Sequence, residues 1–345
     1  MVAQRQQSIG FVRNSFARSG WLIAATTFAE TKCHGGNGLK TILVTGGAGF
    51  IGAHLARRLL ETGREVVVLD DLSSGKRDNV PKAATFINGS ILDKEVVRGA
   101  LSGVDACIHL AAVASVEKCN RELTHSHAIN ITGFLNLVEE IAKSGTKRTV
   151  VYASSAAVYG ASQNLPLSEE GKCVPLSPYG ADKLSCELHA RAAYEVYGLS
   201  TTGLRFFNVF GPGQDPQSPY SGVITKFAQR LGNNEDIVIY GDGKQTRDFV
   251  YVADVVEALI RSAERIPDGA RILNVCSGVE TSINELARIM IEETKSQCAI
   301  SYVDGLLGEV RRSQGCTQAL QAELDQRCRT DLRTGLAQLL TQGRQ

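Results

Sequence analysis

A tyrosine and a lysine stand four residues apart in the segment SPYGADK, where Tyr179 precedes Lys183. Ser177 and Pro178 are favourable residues at the start of a helix, so the two side chains are expected on one helical face. An ammonium group beside a phenol favours the phenolate, which would let Tyr179 act as a base toward a substrate hydroxyl. The alternative is a surface tyrosine next to a solvated lysine.

Two serines precede this pair in the segment VVYASSAAVYG. Ser154 and Ser155 are expected at the carboxyl end of a buried strand, where open α/β sheets bind their ligands. A hydroxyl at that edge could bridge a substrate and the phenolate of Tyr179. Both serines are therefore candidate substrate contacts.

The segment VTGGAGFIG predicts a phosphate-binding turn between a strand and a helix. Its glycine spacing lets the backbone turn sharply and approach a pyrophosphate at the helix N-terminus. Asp70 follows Gly52 by 18 residues, where a carboxylate could bind the ribose hydroxyls of NAD and repel the 2′-phosphate of NADP. NAD is favoured as the cofactor, although the nearby cations Lys76 and Arg77 leave NADP as an alternative. The alternative to dinucleotide binding is a tight turn that binds no ligand. The cofactor contacts predicted in the turn are Gly46, Gly49, Phe50, Ile51 and Gly52.

Apolar stretches that alternate with helical segments surround these residues from Thr41 onward. This pattern predicts an α/β fold, a doubly wound parallel sheet of the Rossmann type, with a smaller α/β C-terminal substrate lobe. One strand is expected over residues 200–210. The predicted regions are an N-terminal extension over residues 1–39, an NAD-binding domain over 40–210, and a mainly substrate-binding lobe over 211–345 that the chain enters more than once.

The composition of the 345-residue chain favours a small-molecule partner over nucleic acid or a membrane. Lys and Arg number 37 against 36 Asp and Glu, so no overall field attracts a polyanion. No apolar run reaches the roughly 18 to 20 residues of a membrane span, and the nine scattered cysteines predict reduced thiols and no metal site. Residues 1–39 have no acid before Glu30, which is typical of an organellar transit peptide, although the favoured interpretation is an unstructured or misassigned N-terminal extension. The expected location is otherwise the cytoplasm.

The chain resembles the NAD-dependent epimerase/dehydratase family of extended short-chain dehydrogenase/reductases over roughly Lys40 to Gly308. The motifs that carry the resemblance are VTGGAGFIG, VVVLDD, HLAA, YASSAAVYG, SPYGADK, RFFNVFGPGQDP and YGDGKQTRDFVYVAD. The resemblance implies that Ser155, Tyr179 and Lys183 form the catalytic triad. It also implies that Asp70 and Asp71 meet the adenosine ribose, that Ala111 and Ala112 line the cofactor, and that Ser90 and Ile91 lie at the adenine, where Ser90 replaces the usual aspartate.

The resemblance further implies a UDP-sugar substrate. In that comparison Asn208 contacts the diphosphate or sugar, Val223 and Ile224 contact the uracil, and Arg247 binds the diphosphate with its planar fork. The alternative for Arg247 is a structural ion pair with Asp248 or Asp254. Leu306 replaces a second diphosphate arginine, for which Arg311 or Arg312 could compensate, and the small Ser313 could admit an N-acetyl group. Beyond Ser313 the sequence departs from the family pattern, which predicts an imperfectly formed C-terminal lobe.

The residues after Ser155 distinguish between the reactions of the family. Dehydratases carry an Asp-Glu pair there, whereas this chain has Ala156 and Ala157, which cannot transfer protons. The expected function is a UDP-sugar 4-epimerase that acts through a 4-keto intermediate. The alternatives are a sugar-nucleotide dehydrogenase, reductase or dehydratase, and a catalytically idle NAD-binding protein. A homodimer is expected through residues 115–143 and 183–197.

Overall fold

The structure is a computed structural model that describes residues 39–146, 148–215, 222–265, 267–305 and 309–342. The predicted extension lies almost wholly outside the described residues. The strands are β1 (Thr41–Thr45), β2 (Glu65–Asp70), β3 (Thr85–Asn88), β4 (Ala106–His109), β5 (Thr149–Ser155), β6 (Thr201–Phe206), β7 (Asn208–Phe210), β8 (Ile237–Tyr240), β9 (Thr246–Arg247), β10 (Phe249–Tyr251), β11 (Ala270–Val275), β12 (Thr281–Ser282) and β13 (Ile300–Val303). The α-helices are α1 (Phe50–Glu61), α2 (Lys94–Ala100), α3 (Val116–Arg121), α4 (Leu123–His127), α5 (Gly133–Lys143), α6 (Pro178–Tyr197), α7 (Val223–Gly232), α8 (Val252–Glu264), α9 (Ile283–Thr294), α10 (Gln318–Leu324) and α11 (Leu332–Gln342).

A seven-stranded sheet forms the centre of the molecule, in the order β11-β6-β5-β4-β1-β2-β3. Every neighbouring pair in it is parallel. The strand order reverses direction between β1 and β4, and in open α/β sheets this switch point opens a crevice at the carboxyl ends of the strands. The predicted Rossmann-type sheet is therefore confirmed, and the segments that follow β1 and β4 meet at its crevice.

Helices cover both faces of this sheet because its strands are apolar on both sides. In β1, Ile42 and Val44 belong to the hydrophobic core shared with α1 and α8, whereas Leu43 belongs to the core shared with α5 and α6. These three side chains are at most 1% exposed. Cys186, Ala190 and Ala193 of α6 belong to the second of these cores, and α6 packs against β5 and β6.

The described residues of the second half of the chain form three two-stranded pairs, namely β7 with β10, β8 with β13, and β9 with β12. The expected single strand over residues 200–210 was wrong, because β6 stays in the main sheet while β7 turns away to pair with β10. The chain then returns to the main sheet as β11, which pairs with β6.

The segment beyond Ser313 folds into helices α10 and α11 despite its departure from the family pattern. Leu320 and Leu324 of α10 and Leu336 of α11 are at most 5% exposed, so both helices bury apolar residues in the core. The expectation of an imperfectly formed lobe was therefore wrong for this segment. None of the helices within the described ranges is both long and apolar enough to cross a membrane.

Candidate active site

The glycine-rich turn joins β1 to α1 and leaves the N-terminus of that helix open. Gly46 has a φ of +71°, and a Cβ on it would lie 2.6 Å from the backbone nitrogen of Ala111. A Cβ on Gly52 would lie 2.2 Å from the carbonyl oxygen of Gly46. The first turn of α1 contains no acidic residue, so no side chain of that helical turn repels an anion. The backbone therefore has the shape and polarity of a pyrophosphate cradle, with half-buried Phe50 and Ile51 beginning the helix.

Asp70 ends β2 and is bound to the same turn. Its Oδ2 accepts a hydrogen bond from the Ala48 nitrogen at 2.9 Å, and its Oδ1 accepts one from the Leu72 nitrogen at 2.9 Å. Burial raises the pKa of the Asp70 carboxyl, although these backbone donors act in the opposite direction. Each carboxylate oxygen keeps a second lone pair, so ribose hydroxyls could still bind there. The neighbouring Asp71 accepts a hydrogen bond from the Ser73 nitrogen at 3.0 Å.

Lys76 and Arg77, the two cations that could bind the 2′-phosphate of NADP, already have partners. Lys76 Nζ lies 2.8 Å from a carboxylate oxygen of Asp215. The guanidinium carbon of Arg77 lies 4.5 Å from the centre of the Phe86 ring. Both contacts reduce the availability of these cations for a 2′-phosphate, which favours NAD as the cofactor.

The HLAA segment after β4 lies against the glycine turn through Thr45. The Thr45 hydroxyl lies 2.7 Å from His109 Nδ1 and accepts a hydrogen bond from the Ala111 nitrogen at 3.3 Å. Burial lowers the pKa of the His109 imidazole to about 3, and the Lys183 ammonium acts in the same direction, so the ring is neutral. Ala111 and Ala112 are half-buried beside the turn, as expected of residues that line a cofactor.

Ser90 and Ile91 begin the segment after β3. The Ser90 hydroxyl accepts a hydrogen bond from the Leu92 nitrogen at 3.2 Å. The Ile91 side chain is 5% exposed and packs under Gly133 of α5, where a Cβ would lie 2.4 Å from Ile91 Cδ1. A cofactor contact by the Ile91 side chain is therefore not supported, because that side chain belongs to the core.

Tyr179 and Lys183 lie in the first two turns of α6, as the spacing predicted. The Ser177 hydroxyl caps the helix by accepting a hydrogen bond from the Gly180 nitrogen at 3.1 Å, and Pro178 follows it. Lys183 Nζ donates to the carbonyl oxygen of Ala153 at 2.9 Å and lies 5.8 Å from the centre of the Tyr179 ring. The ammonium group is thus held between β5 and the phenol.

Ser155 ends β5 beside this pair and caps a short 3₁₀ turn, where its hydroxyl accepts a hydrogen bond from the Ala157 nitrogen at 3.2 Å. Sequence reasoning missed Gly180, at which a Cβ would lie only 2.6 Å from the Ala157 carbonyl oxygen. The glycine allows α6 to approach the turn that carries Ser155. A glycine between the tyrosine and the lysine, at the start of a helix, was the signal that could have revealed it.

The Ser154 side chain does not lie in the same site as Ser155 at the carboxyl end of β5. Its side chain is 1% exposed, and its hydroxyl donates to Glu187 Oε1 at 2.5 Å. Successive residues of a strand point to opposite faces, so the two serines cannot share one site. The predicted substrate contact of Ser154 is not supported for this reason.

Arg247 is largely buried, with 19% of its side chain exposed. Its Nη1 donates to the carbonyl oxygens of Thr246 and Val310, both at 2.7 Å, and its Nη2 lies 3.0 Å from Glu309 Oε1. Burial lowers the pKa of this guanidinium, and Glu309 opposes the shift. Arg247 thus forms a structural ion pair, as the alternative expected, but its partner is Glu309 and not Asp248 or Asp254.

Those two aspartates bind backbone groups instead. Asp248 accepts hydrogen bonds from the nitrogens of Ser277, Gly278 and Gly315. Asp254 accepts hydrogen bonds from two backbone nitrogens of the segment before α11. Asp248 thereby fixes two loops next to Arg247.

The other predicted substrate residues are dispersed around this region. Asn208 is exposed at the start of β7, and its nitrogen donates to the Asp248 carbonyl at 3.0 Å. Val223 and Ile224 begin α7, where Ile224 is only 2% exposed, so its contact with a ligand would have to come from its backbone. Ser313 is 8% exposed, and its nitrogen donates to the Thr246 hydroxyl at 3.4 Å.

Arg311 and Arg312 are exposed and form bidentate pairs with separate carboxylates. Arg311 binds Asp242 at 2.8 and 2.7 Å, and Arg312 binds Glu280 at 2.8 and 2.7 Å. A diphosphate would have to displace one of these partners. Leu306 lies outside the described residues.

A parallel sheet that carries a dinucleotide turn after its first strand and a tyrosine–lysine helix beside its fifth defines an extended short-chain dehydrogenase/reductase. The chain belongs to the NAD-dependent epimerase/dehydratase family, whose sequence model matches residues 42–276.

Three similar proteins illustrate this membership. A UDP-glucose 4-epimerase of Mycolicibacterium smegmatis is 35% identical over 278 residues, which cover 79% of this chain and 88% of that protein. The structure of a Thermotoga maritima UDP-glucose 4-epimerase with UDP-glucose superposes with a TM-score of 0.85 at 36% identity, covering 88% of this chain and 98% of that one. A UDP-N-acetylglucosamine 4-epimerase of Methanobrevibacter ruminantium, in complex with UDP-N-acetylmuramic acid, gives a TM-score of 0.84 at 36% identity with the same coverages.

Proposed function

We propose that this protein is an NAD-dependent epimerase that inverts C4 of a UDP-hexose or UDP-N-acetylhexosamine. The observation that carries the proposal is the Lys183 ammonium, held by the Ala153 carbonyl at 2.9 Å and 5.8 Å from the ring of Tyr179. Similar proteins named as UDP-sugar 4-epimerases support the same reaction. The half-buried Ala156 and Ala157 argue against a dehydratase, because neither can donate or accept a proton.

The proposed residue roles follow from these positions. Tyr179 removes the proton of the 4-hydroxyl. It returns the proton to the same oxygen after the 4-keto sugar has rotated to present its opposite face. Lys183 stabilises the phenolate, and the Ser155 hydroxyl donates a hydrogen bond to the reacting oxygen. NAD would supply a reversible hydride acceptor for C4, so that the overall reaction would consume no cofactor. The glycine turn, Asp70 and the Ala111 segment would hold it, and Arg247 would bind the diphosphate of the substrate.

Incubation of the purified protein with UDP-glucose, UDP-galactose or their N-acetyl forms, followed by anion-exchange analysis, tests this proposal. Interconversion without net NADH formation is the expected result. Stoichiometric NADH formation would instead identify a dehydrogenase. No interconversion, with NAD still bound, would identify an idle NAD-binding protein.

Ser313 is proposed to set the size of the sugar pocket. Because it is a small residue next to Thr246, replacement by tyrosine is expected to lower kcat/KM for UDP-N-acetylhexosamines about tenfold or more relative to unsubstituted UDP-hexoses. Ser313→Ala is the control and should leave that ratio unchanged. An equal loss on both substrate classes in Ser313→Tyr would contradict the pocket-size argument.

A second copy of this chain is the proposed partner of α4 and α6. Leu123 of α4 and Leu188 of α6 expose 56% and 63% of their surfaces, and these two helices pack against each other. A two-fold dimer would bury these side chains, because the same face of each copy would contact the other copy. Leu188→Glu is expected to convert a dimer to a monomer in sedimentation velocity, whereas Val303→Glu, on exposed β13, should not. A wild-type monomer would refute the interface.

A cytoplasmic location is the final part of the proposal. All eight cysteines among the described residues are free. Free thiols of this kind are typical of a reducing compartment.

A further inference from the structure

Glu187 is a buried carboxylate on the face of α6 that carries Tyr179 and Lys183. It follows Lys183 by four residues, and 6% of its side chain is exposed. Arg205 of β6 occupies both of its oxygens, with Nε to Oε1 at 2.9 Å and Nη2 to Oε2 at 2.7 Å. The Ser154 hydroxyl also donates to Oε1, at 2.5 Å. The carboxylate is therefore held by the sheet rather than by its own helix.

Arg205 is itself fixed on its other side. Its Nη1 donates to the hydroxyl of Tyr159 at 2.8 Å and to the Glu169 carbonyl at 3.2 Å. The guanidinium carbon lies 4.8 Å from the centre of the Tyr159 ring, and the Tyr159 hydroxyl donates to Asn274 Oδ1 at 2.7 Å. With 5% of its side chain exposed, Arg205 cannot turn toward solvent and release Glu187.

Consecutive residues of β5 bind the two charged groups of α6. Lys183 Nζ donates to the Ala153 carbonyl, and the next residue, Ser154, donates to Glu187. Helical side chains tilt toward the N-terminus of their helix, which directs Glu187 back toward Lys183. Opposite charges four residues apart attract each other, and burial strengthens this attraction. An ion pair between them would draw the ammonium away from Tyr179.

Asp182 also lies near Lys183 but has partners of its own. His127 Nδ1 lies 2.8 Å from Asp182 Oδ1, and Asn130 Nδ2 donates to Oδ2 at 3.3 Å. Glu187 is thus the acidic group whose pairing with Lys183 depends on Arg205.

Apart from Tyr179, Asp182 and Arg205, five titratable groups in the described part of the chain interact with Lys183 or Glu187, and all five are uncharged near neutral pH. Burial lowers the pKa of His109 on β4 to about 3 and raises the pKa of Cys186 on α6 to about 11. It also raises the pKa values of Cys119 on α3, of Tyr152 on β5 and of Cys173 before α6. None of these groups competes with Arg205 for the carboxylate.

We propose that Arg205 is a positioning residue that keeps the Glu187 carboxylate from pairing with Lys183 and so leaves the Lys183 ammonium directed at Tyr179. This inference rests on the proposed function, in which Tyr179 is the base. A buried ion pair adds little net stability compared with apolar residues of similar volume. The Arg205–Glu187 pair on β6 and α6 is therefore explained by its effect on the Lys183 ammonium rather than by stability alone.

Crystal structures and pH–rate profiles of three variants test this role. In Arg205→Met, the unpaired Glu187 is expected to draw Lys183 Nζ away from the Ala153 carbonyl. We expect kcat to fall about tenfold or more, which is part of the ~10²–10⁴-fold contribution of a general base. The acidic limb of the kcat profile should move to higher pH, with KM little changed. The double variant Glu187→Leu/Arg205→Met should return Lys183 to Ala153 and restore both kcat and the profile.

Arg98→Met is the matched control, because Arg98 donates to another buried carboxylate, Glu140 of α5, at 2.8 Å. It should change stability without moving the acidic limb. The inference is overturned if Arg205→Met leaves Lys183 on the Ala153 carbonyl, or if the double variant is as impaired as the single one.

A further variant covers the case in which Arg205→Met does not fold. Glu187→Gln keeps the volume of the side chain and removes its charge, so the acidic limb should stay in place or move to lower pH. A move to higher pH would also overturn the inference. The position of Lys183 in the crystals does not depend on turnover, so failure of this inference can be distinguished from failure of the proposed function.

Discussion

Replacing Tyr179 by phenylalanine is expected to lower epimerase turnover by about 10²–10⁴-fold, the usual contribution of a positioned general base. The ring beside Lys183 remains, at the 5.8 Å that separates its centre from the ammonium, so NAD content should stay at the wild-type level. Measurement of UDP-sugar interconversion by anion-exchange chromatography, together with NAD released on denaturation, separates these two effects.

Tyr197→Phe is the control for this variant, because Tyr197 lies at the far end of the same helix and is 62% exposed. Its turnover should equal that of the wild type. Wild-type turnover in Tyr179→Phe would remove Tyr179 from the mechanism. Loss of NAD from Tyr179→Phe would instead mean that the hydroxyl is needed to hold the cofactor.

Replacing Gly52 by alanine is expected to weaken NAD binding by about 5–150-fold, from the ~1–3 kcal/mol cost of overpacking. The added Cβ would lie 2.2 Å from the Gly46 carbonyl oxygen and 2.7 Å from Gly47 Cα. Both are backbone atoms that cannot rotate aside, so α1 must move away from the turn. Calorimetric titration of NAD into cofactor-free protein measures the change.

Gly99→Ala is the matched control, since a Cβ on Gly99 of α2 would have no neighbouring atom within 4 Å. It should bind NAD as tightly as the wild type. Thermal unfolding of both variants shows whether the fold is retained. Unchanged NAD affinity in a folded Gly52→Ala protein would disprove the role of this turn in binding the cofactor.

Local spacing was sufficient to predict the parts of the site that lie within one element. The cap formed by Ser177 and Pro178, and the four-residue spacing from Tyr179 to Lys183, appear in α6 as expected. The glycine turn likewise joins β1 to α1. These features depend on backbone geometry over a few residues, which the sequence specifies directly.

The two adjacent serines mark the limit of that reasoning. Strand alternation requires Ser154 and Ser155 to point to opposite faces, but it does not say which face holds the site. The choice of face depends on the packing of α6 on β5, in which the Ser154 hydroxyl donates a hydrogen bond to Glu187. Arg247 is a similar case, because its acidic partner Glu309 lies 62 residues away in the chain.

The sequence by itself determined the fold class, the dinucleotide turn and the tyrosine–lysine helix, since each depends on residue types at short and regular spacing. Only the tertiary structure decided that β11 returns to the main sheet, that Ile91 and Ser154 are buried, and that Arg205 binds Glu187. The physical reason is that burial and ion pairing depend on which distant segments come together, and no local pattern encodes that choice.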